Sequence, residues 1–231
     1  MKHSLLTIIF FVFVLSISAQ DQLGFKVNYL IPNYRITATP PNSDETMDED
    51  NGLSYVLNYK HRWPGMFNVG GGLEYYRIAS TFNSKYTSLG ADVFKDVDYV
   101  TNYLSLRLIP EFGFGEKLRA YVQVGPFIGV LLASSAEGIQ ILTDGKDSVT
   151  YEIDESAYDD FPGLDWGFFI GAGAEYPLSD NFKIAIELQY SRGFANFYRD
   201  DEYVFATRNF TTGLSLIYVL KGYSERIKDE D

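Results

Sequence analysis

The 231-residue chain contains no cysteine, and its only histidines are His3 and His61. Disulfide frameworks, cysteine zinc sites and thiol nucleophiles are therefore excluded. Basic residues are scarce, with 19 Lys and Arg against 31 Asp and Glu, for a formal net charge of −12. Phosphate backbones call for a basic face, so nucleic acid is not an expected partner. After residue 19 every apolar run is broken by polar residues within a few positions, and none suits a spanning helix. Any later passage through a membrane must be made by strands, whose backbone groups satisfy one another. What the chain has in abundance is aromatic: 18 Tyr, 18 Phe and 2 Trp.

Lys2, the apolar stretch from Leu5 to Val14, and the small residues Ser16, Ser18 and Ala19 ahead of Gln20 have the layout of a secretory signal peptide. Residues 1–19 are assigned to targeting on that pattern. The apolar run falls short of the ~20 residues of a membrane anchor. Residues 20–220 are read as one domain and 221–231 as a polar periplasmic tail.

Within 20–220 the dominant signal is alternation at period two. Phe182, Ile184, Ile186, Leu188 and Tyr190 share one face, while Lys183, Ala185, Glu187, Gln189 and Ser191 share the other. Trp166, Phe168, Ile170, Ala172, Ala174 and Tyr176 oppose Gly167, Phe169, Gly171, Gly173 and Glu175, and Leu23, Phe25, Val27, Tyr29 and Ile31 oppose Gly24, Lys26, Asn28 and Leu30. Similar stretches begin near Leu53, Phe67, Tyr99, Leu118 and Asn209, which makes eight. Most run for about nine to fourteen residues, the length a tilted strand needs to cross ~30 Å of hydrocarbon.

Connections alternate between short and long. The short ones cover 62–66, 111–117 and 177–181. The long ones cover roughly 32–51, 79–98, 134–163 and 193–208. This pattern predicts an all-β, eight-stranded antiparallel up-and-down transmembrane barrel with short periplasmic turns and long external loops. The polar face combines Gly70, Gly72, Gly125, Gly129, Gly171, Gly173 and Gly213 with a few opposite charges, which suits a narrow, packed lumen, so that face is placed inside. Outward Tyr29, Tyr55, Phe67, Trp166, Tyr176, Phe182, Tyr190, Phe210 and Tyr218 are expected to form two interfacial girdles. Pro126 predicts a bulge or bend in mid-strand. No Gly or Pro marks the end of the third strand between Leu73 and Leu89. In the third long connection, Ile139 and Ile141 on one side of Asp144-Gly145, and Val149, Tyr151 and Ile153 on the other, predict that strands five and six, or a separate hairpin, project beyond the membrane.

Few residues suggest chemistry. Lys26, Glu74, Arg107, Glu175 and Glu187 are expected to fill the bore as a structural network of ion pairs and hydrogen bonds. A hydrolase would want a histidine base, but His61 adjoins the first periplasmic turn, the wrong end, and the adjacent acids Asp159 and Asp160 read as solvated. Asp48-Glu49-Asp50-Asn51-Gly52 and Asp144-Gly145-Lys146-Asp147 place oxygens close together, as calcium prefers, yet neither matches an EF-hand. No enzyme activity, cofactor or resident metal is expected. Asp144, Asp147, Tyr151, Asp154 and Glu155 are candidate external contacts, and an edge of the hairpin could add a partner strand.

Gly70-Gly-Gly-Leu-Glu-Tyr75, Tyr103-Leu-Ser-Leu-Arg-Leu108, Tyr121-Val-Gln-Val-Gly-Pro-Phe-Ile-Gly129 and Gly171-Ala-Gly-Ala-Glu-Tyr176 give the chain its likeness to a known group. It resembles the bacterial outer-membrane beta-barrel family of porin-family or PorT-like proteins across the whole region after residue 19. One departure is that such barrels commonly end on an aromatic, whereas here the last segment closes at Leu220 and a polar tail follows. The resemblance implies an outer-membrane location and a role in secretion or envelope maintenance.

The expected protein is thus a monomeric, non-enzymatic barrel with a packed lumen, in contact with outer-membrane lipid and with an envelope or extracellular protein through its loops. A narrow passive channel is the alternative, and a soluble periplasmic carrier barrel is a third reading. Mapped on this layout, residues 32–50, 79–98, 134–160 and 193–208 hold 19 acidic and 6 basic groups, while the rest of the chain beyond residue 19 holds 12 of each. The acidity belongs to the expected outer surface.

Overall fold

The computed structural model describes residues 20–33, 35–36, 44–63, 65–88, 90–145, 147–158, 161, 163–195 and 205–220. Residues 1–19, expected to be a targeting segment, residues 221–231, expected to be a polar tail, and the acids Asp159 and Asp160 lie outside the described residues. Twelve strands follow in order: β1 (Gln20–Pro32), β2 (Arg35–Ile36), β3 (Asp44–Asp50), β4 (Gly52–Arg62), β5 (Phe67–Ser88), β6 (Ala91–Phe114), β7 (Arg119–Asp144), β8 (Asp147–Ser156), β9 (Leu164–Pro177), β10 (Phe182–Gly193), β11 (Phe205–Ala206) and β12 (Arg208–Val219). Eight of them close an antiparallel ring in the order β1, β4, β5, β6, β7, β9, β10, β12 and back to β1. Closure leaves no unpaired strand edge within the ring, the condition for spanning lipid.

Alternation decides which way each side chain points. Leu57, Leu106, Ile128, Ile170, Ile186 and Leu214 face outward and are exposed, while Asn28, Glu74, Ser105, Gln123, Glu187 and Thr211 face inward and are buried. This is the apolar-out, polar-in arrangement of a membrane barrel. All nine expected girdle aromatics are exposed on the outside. Tyr190 and Phe210 pair across β10 and β12 at one end, and Phe182 and Tyr218 pair across the same strands at the other.

Five ring strands have 11 to 14 residues, but β5, β6 and β7 have 22, 24 and 26. At about 3.3 Å per residue, these three run for roughly 70–85 Å, more than twice the hydrocarbon thickness. Residues 79–98, expected as a loop, are instead a continuation of the β5–β6 hairpin up to the pair Ser88–Ala91. The run from Leu73 to Leu89 that lacks any breaker is continuous strand as far as Ser88. β3 adds to the outer half of β5, and β8 to the outer half of β7. A five-stranded sheet, β3-β5-β6-β7-β8, therefore projects from one side of the barrel mouth.

Polarity inverts along these strands. Beyond Arg77 on β5 and Asn102 on β6, the inner face holds Ile78, Val97 and Val93, all buried, and the outer face turns to Asp98, Asp96 and Asp92. On β7 the turnover coincides with a bulge, where Tyr103 opposes Leu131 but Asn102 opposes Ala133. The bulge expected at Pro126 is not there. Pro126 points outward, pairs with Phe168 in an unbroken β7–β9 register, and only the β6–β7 ladder lapses between Arg107–Phe127 and Glu111–Gln123. Pro110 and Pro126 both lie in that lapse, so the missing backbone donors interrupt hydrogen bonding without shifting the register.

The hairpin expected around Asp144-Gly145 is present, with Asp144 opposite Asp147 and Gly145 at φ 57°. That left-handed conformation suits a two-residue turn, and glycine adopts it without steric cost. The apolar residues on its two arms do not share a face, however. Ile139 opposes Glu152 and Ile141 opposes Thr150, whereas Val149 opposes Leu142. A two-residue turn pairs odd positions with even ones, which sends the two sets to opposite sides.

Candidate functional site

All five residues expected in the lumen lie there. Lys26 donates to Glu187 at 2.5 Å, and the Tyr121 hydroxyl donates to the same carboxylate at 3.1 Å. Arg107 pairs with Glu74 at 3.0 Å, and Ser54 also donates to Glu74 at 2.8 Å. Glu175 meets Arg62 at 3.0 Å, Lys183 at 3.2 Å and Arg119 at 3.5 Å. Five further charged members are not among the expected set, namely Arg62, Lys183, Glu111, Lys60 and Arg119. Glu111 accepts from Lys60, from Arg119 at 2.7 Å and from Asn68 at 2.7 Å. The Pro110 and Gly-rich run predicts a turn over 111–117, but β6 runs on to Phe114 and the turn is only 115–118. Lys60 was legible, because it continues the inward series Ser54, Val56 and Asn58 of β4.

Glycines are the slots into which the long charged side chains fit. Lys26 on β1 and Glu187 on β10 reach each other across β12, where Gly213 lies between them. A Cβ at Gly213 would meet Asn28 Oδ1 at 2.0 Å and Lys26 Cδ at 3.2 Å. Gly173 leaves the same kind of room for the Tyr121 ring, and Gly113 for the Arg119 guanidinium.

Above this polar layer an apolar plug of buried side chains lies at the mouth. Leu30, Tyr76, Ile78, Val97, Tyr103, Leu131 and Ala136 pack with Ala157 and Phe161, which come from the connection between β8 and β9. Tyr76 stacks on Tyr103 at 5.3 Å, and Tyr99 meets Phe161 edge-on at 5.5 Å. Between the two layers is a void of about 20 Å³ lined by Leu30, Glu74, Tyr76, Ser105, Arg107, Phe127, Gln189, Ser191, Asn209 and Thr211. It has room for a water molecule and little more. His61 lies at the opposite end, 2.8 Å from the Asp21 carboxylate.

The external candidates do not converge on one spot. Following the β7–β8 register, Asp154 lies on the outer face of the projecting sheet, whereas Asp144, Asp147, Tyr151 and Glu155 lie on the inner one. The outer face holds the concentrated charge: Asp48 and Asp50 on β3, Asp92, Asp96 and Asp98 on β6, Glu137 on β7, and Glu152 and Asp154 on β8. Lys85 is the basic residue among them, with Arg77 nearer the membrane. One row crosses all five strands as Asp48, Thr81, Asp98, Glu137 and Asp154, each directly opposite the next. Thr81 donates to Asp98 at 2.6 Å, but Asp98, Glu137 and Asp154 are like charges on adjacent strands, which is destabilising. Replacing Glu137 by Gln is expected to stabilise the sheet by about 0.2–1 kcal/mol, read as slower amide hydrogen exchange in β6–β8. Among the described residues, no three acidic or histidine side chains converge as metal ligands.

A family model described as outer membrane protein beta-barrel domain matches residues 7–217. No curated protein sequence matches the chain. Among solved structures, the chain is similar to OprG of Pseudomonas aeruginosa at 12% identity, covering 88% of this chain and 96% of that one, with a TM-score of 0.47. It is also similar to Ail, the attachment invasion locus protein of Yersinia pestis, solved with the heparin analogue sucrose octasulfate, at 14% identity, 87% and 99% coverage and a TM-score of 0.42. Neisserial surface protein A is a third, at 9% identity, 86% and 97% coverage and a TM-score of 0.39.

Proposed function

The chain belongs to the outer membrane protein beta-barrel domain family, and from that premise we propose that this small barrel of the bacterial outer membrane conducts nothing and holds an acidic sheet outside the cell for envelope interaction or maintenance. On this reading residues 1–19 serve as its cleaved secretion signal, and the likeness of the motif runs at 70–75, 103–108, 121–129 and 171–176 to those of porin-family or PorT-like small barrels supports a role of that kind. It works as a monomer, without enzymatic chemistry.

The observation that carries this reading is the double closure of the bore, by ion pairs from Glu111 to Glu74 and by the apolar plug of Leu30, Tyr76, Tyr103, Ala157 and Phe161. A hydrated ion would have to break buried pairs and then cross an apolar layer, and both steps are costly. The purified chain in planar bilayers is accordingly expected to show no unitary conductance. Steady openings of defined size would replace this reading with the narrow channel. Recovery from cells in the soluble fraction without detergent would replace it with a periplasmic carrier.

A further inference from the structure

β8 is an edge strand of an unusual kind. Its ten residues pair with β7 in unbroken register, and among the described residues no strand covers its other side. All are exposed except Ile153, which is half-buried. In an antiparallel ladder, alternate residues turn both N–H and C=O away from the neighbour, so the free side of β8 offers a row of unused donors and acceptors. Exposed edges are ordinarily guarded by Pro, a bulge, shortness or Lys. β8 has none of these; its guard is carboxylate alone, at Asp147, Glu152, Asp154 and Glu155.

We propose that the β8 edge docks an extended segment of another protein in which Lys or Arg alternates with apolar residues. This rests on the reading that the projecting sheet lies outside the cell. A strand added to β8 sets alternate side chains beside two different surfaces. Those on the outer face come beside Glu152 and Asp154, with the Asp98–Glu137–Asp154 row behind them. Those on the inner face come beside Val149 and Tyr151, which are 50% and 51% exposed, and Ile153, three consecutive apolar positions in a row that ends on Asp147 and Glu155. Basic groups satisfy the first surface and apolar groups the second, while backbone hydrogen bonds supply affinity that does not depend on sequence. Pairing with the β8 of a second copy is disfavoured, because it would bring two sets of four carboxylates together without a counter-charge. The acids thus disfavour β8 self-pairing and acidic strands and admit a basic one.

The test uses the full chain in nanodiscs and a fluorescent ten-residue peptide alternating Lys with Val. Saturable one-to-one binding is expected by anisotropy. N-methylating alternate backbone amides of the peptide, which keeps its charge, is expected to weaken binding at least tenfold. The Glu152→Lys, Asp154→Lys variant is expected to lose the Lys peptide at least tenfold and to gain a Glu-for-Lys version. The proposal is overturned if the parent peptide does not bind. It is overturned equally if the N-methylated peptide binds as well as the parent, since the face would then merely adsorb cations, or if charge reversal changes nothing. Nanodiscs expose both ends of the barrel, so this result is independent of orientation. The external placement is tested apart from it, by protease nicking of the 145–147 turn on intact cells.

Discussion

Replacing Glu187 by Leu is expected to destabilise the barrel by about 3–5 kcal/mol, the cost of leaving one member of a buried ion pair without its partner. Lys26 would be left in the bore with no acceptor at 2.5 Å, and the Tyr121 hydroxyl would lose its carboxylate. Adding Lys26→Met to the same chain is expected to restore much of the loss, because an apolar pair of similar volume avoids the desolvation of two charges. Urea unfolding of the single and double variants in lipid measures both quantities. A Glu187→Leu chain as resistant to heat and urea as the parent would show that the lumen pairs do not hold the barrel together.

The neighbouring position makes the opposite demand. Ile186 is 62% exposed and faces lipid, whereas Glu187, one residue on, is 4% exposed and faces the bore. Ile186→Arg is expected to cost about 2–4 kcal/mol, as a charge placed on the lipid face near the midplane does. The same change at Thr150, on the outer side of β8, is expected to be near neutral, since that face meets water. Unfolding in liposomes, compared for the two substitutions, separates a lipid-facing surface from a wet one. Equal and small effects would overturn the assignment of the outer barrel wall to lipid.

Much of this architecture could be read from alternation. Ile184, Ile186 and Leu188 against Ala185, Glu187 and Gln189 mark a strand with one apolar face, and the glycines with opposite charges mark which face is enclosed. The projecting sheet could not be read the same way. From Ser80 to Asp98 the alternation continues, but its sense reverses, because water replaces lipid outside and an apolar core replaces the polar lumen inside. A polar stretch of this kind looks like a loop until its hydrogen-bonding partners are known. β3 illustrates this: Asp44-Glu-Thr-Met-Asp-Glu-Asp50 has no strand propensity to speak of, and it is a strand because β5 offers it an edge. Glu111 was hidden by Pro110 and the glycines after it, which signal a turn locally while the ladder on both sides of β6 carries the chain through. The external acids were counted correctly as a group, yet their division between two faces depends on the parity of a two-residue turn and on one bulge, neither of which composition reveals.

β5, β6 and β7 have a mechanical consequence as well. They pass from the membrane into the projecting sheet without a hinge, and β5 and β6 alone are joined by 22 consecutive residue pairs. A partner pulling on the sheet along its strands would load those hydrogen bonds in shear, all together, where a flexible loop would let them peel apart one at a time. The polar packing of the bore and the plug above it then bear the same load, because the strands that carry the sheet also carry Glu74, Arg107 and Tyr121. A protein built this way is a rigid post set in a membrane, and traction at its tip is felt by the wall that anchors it.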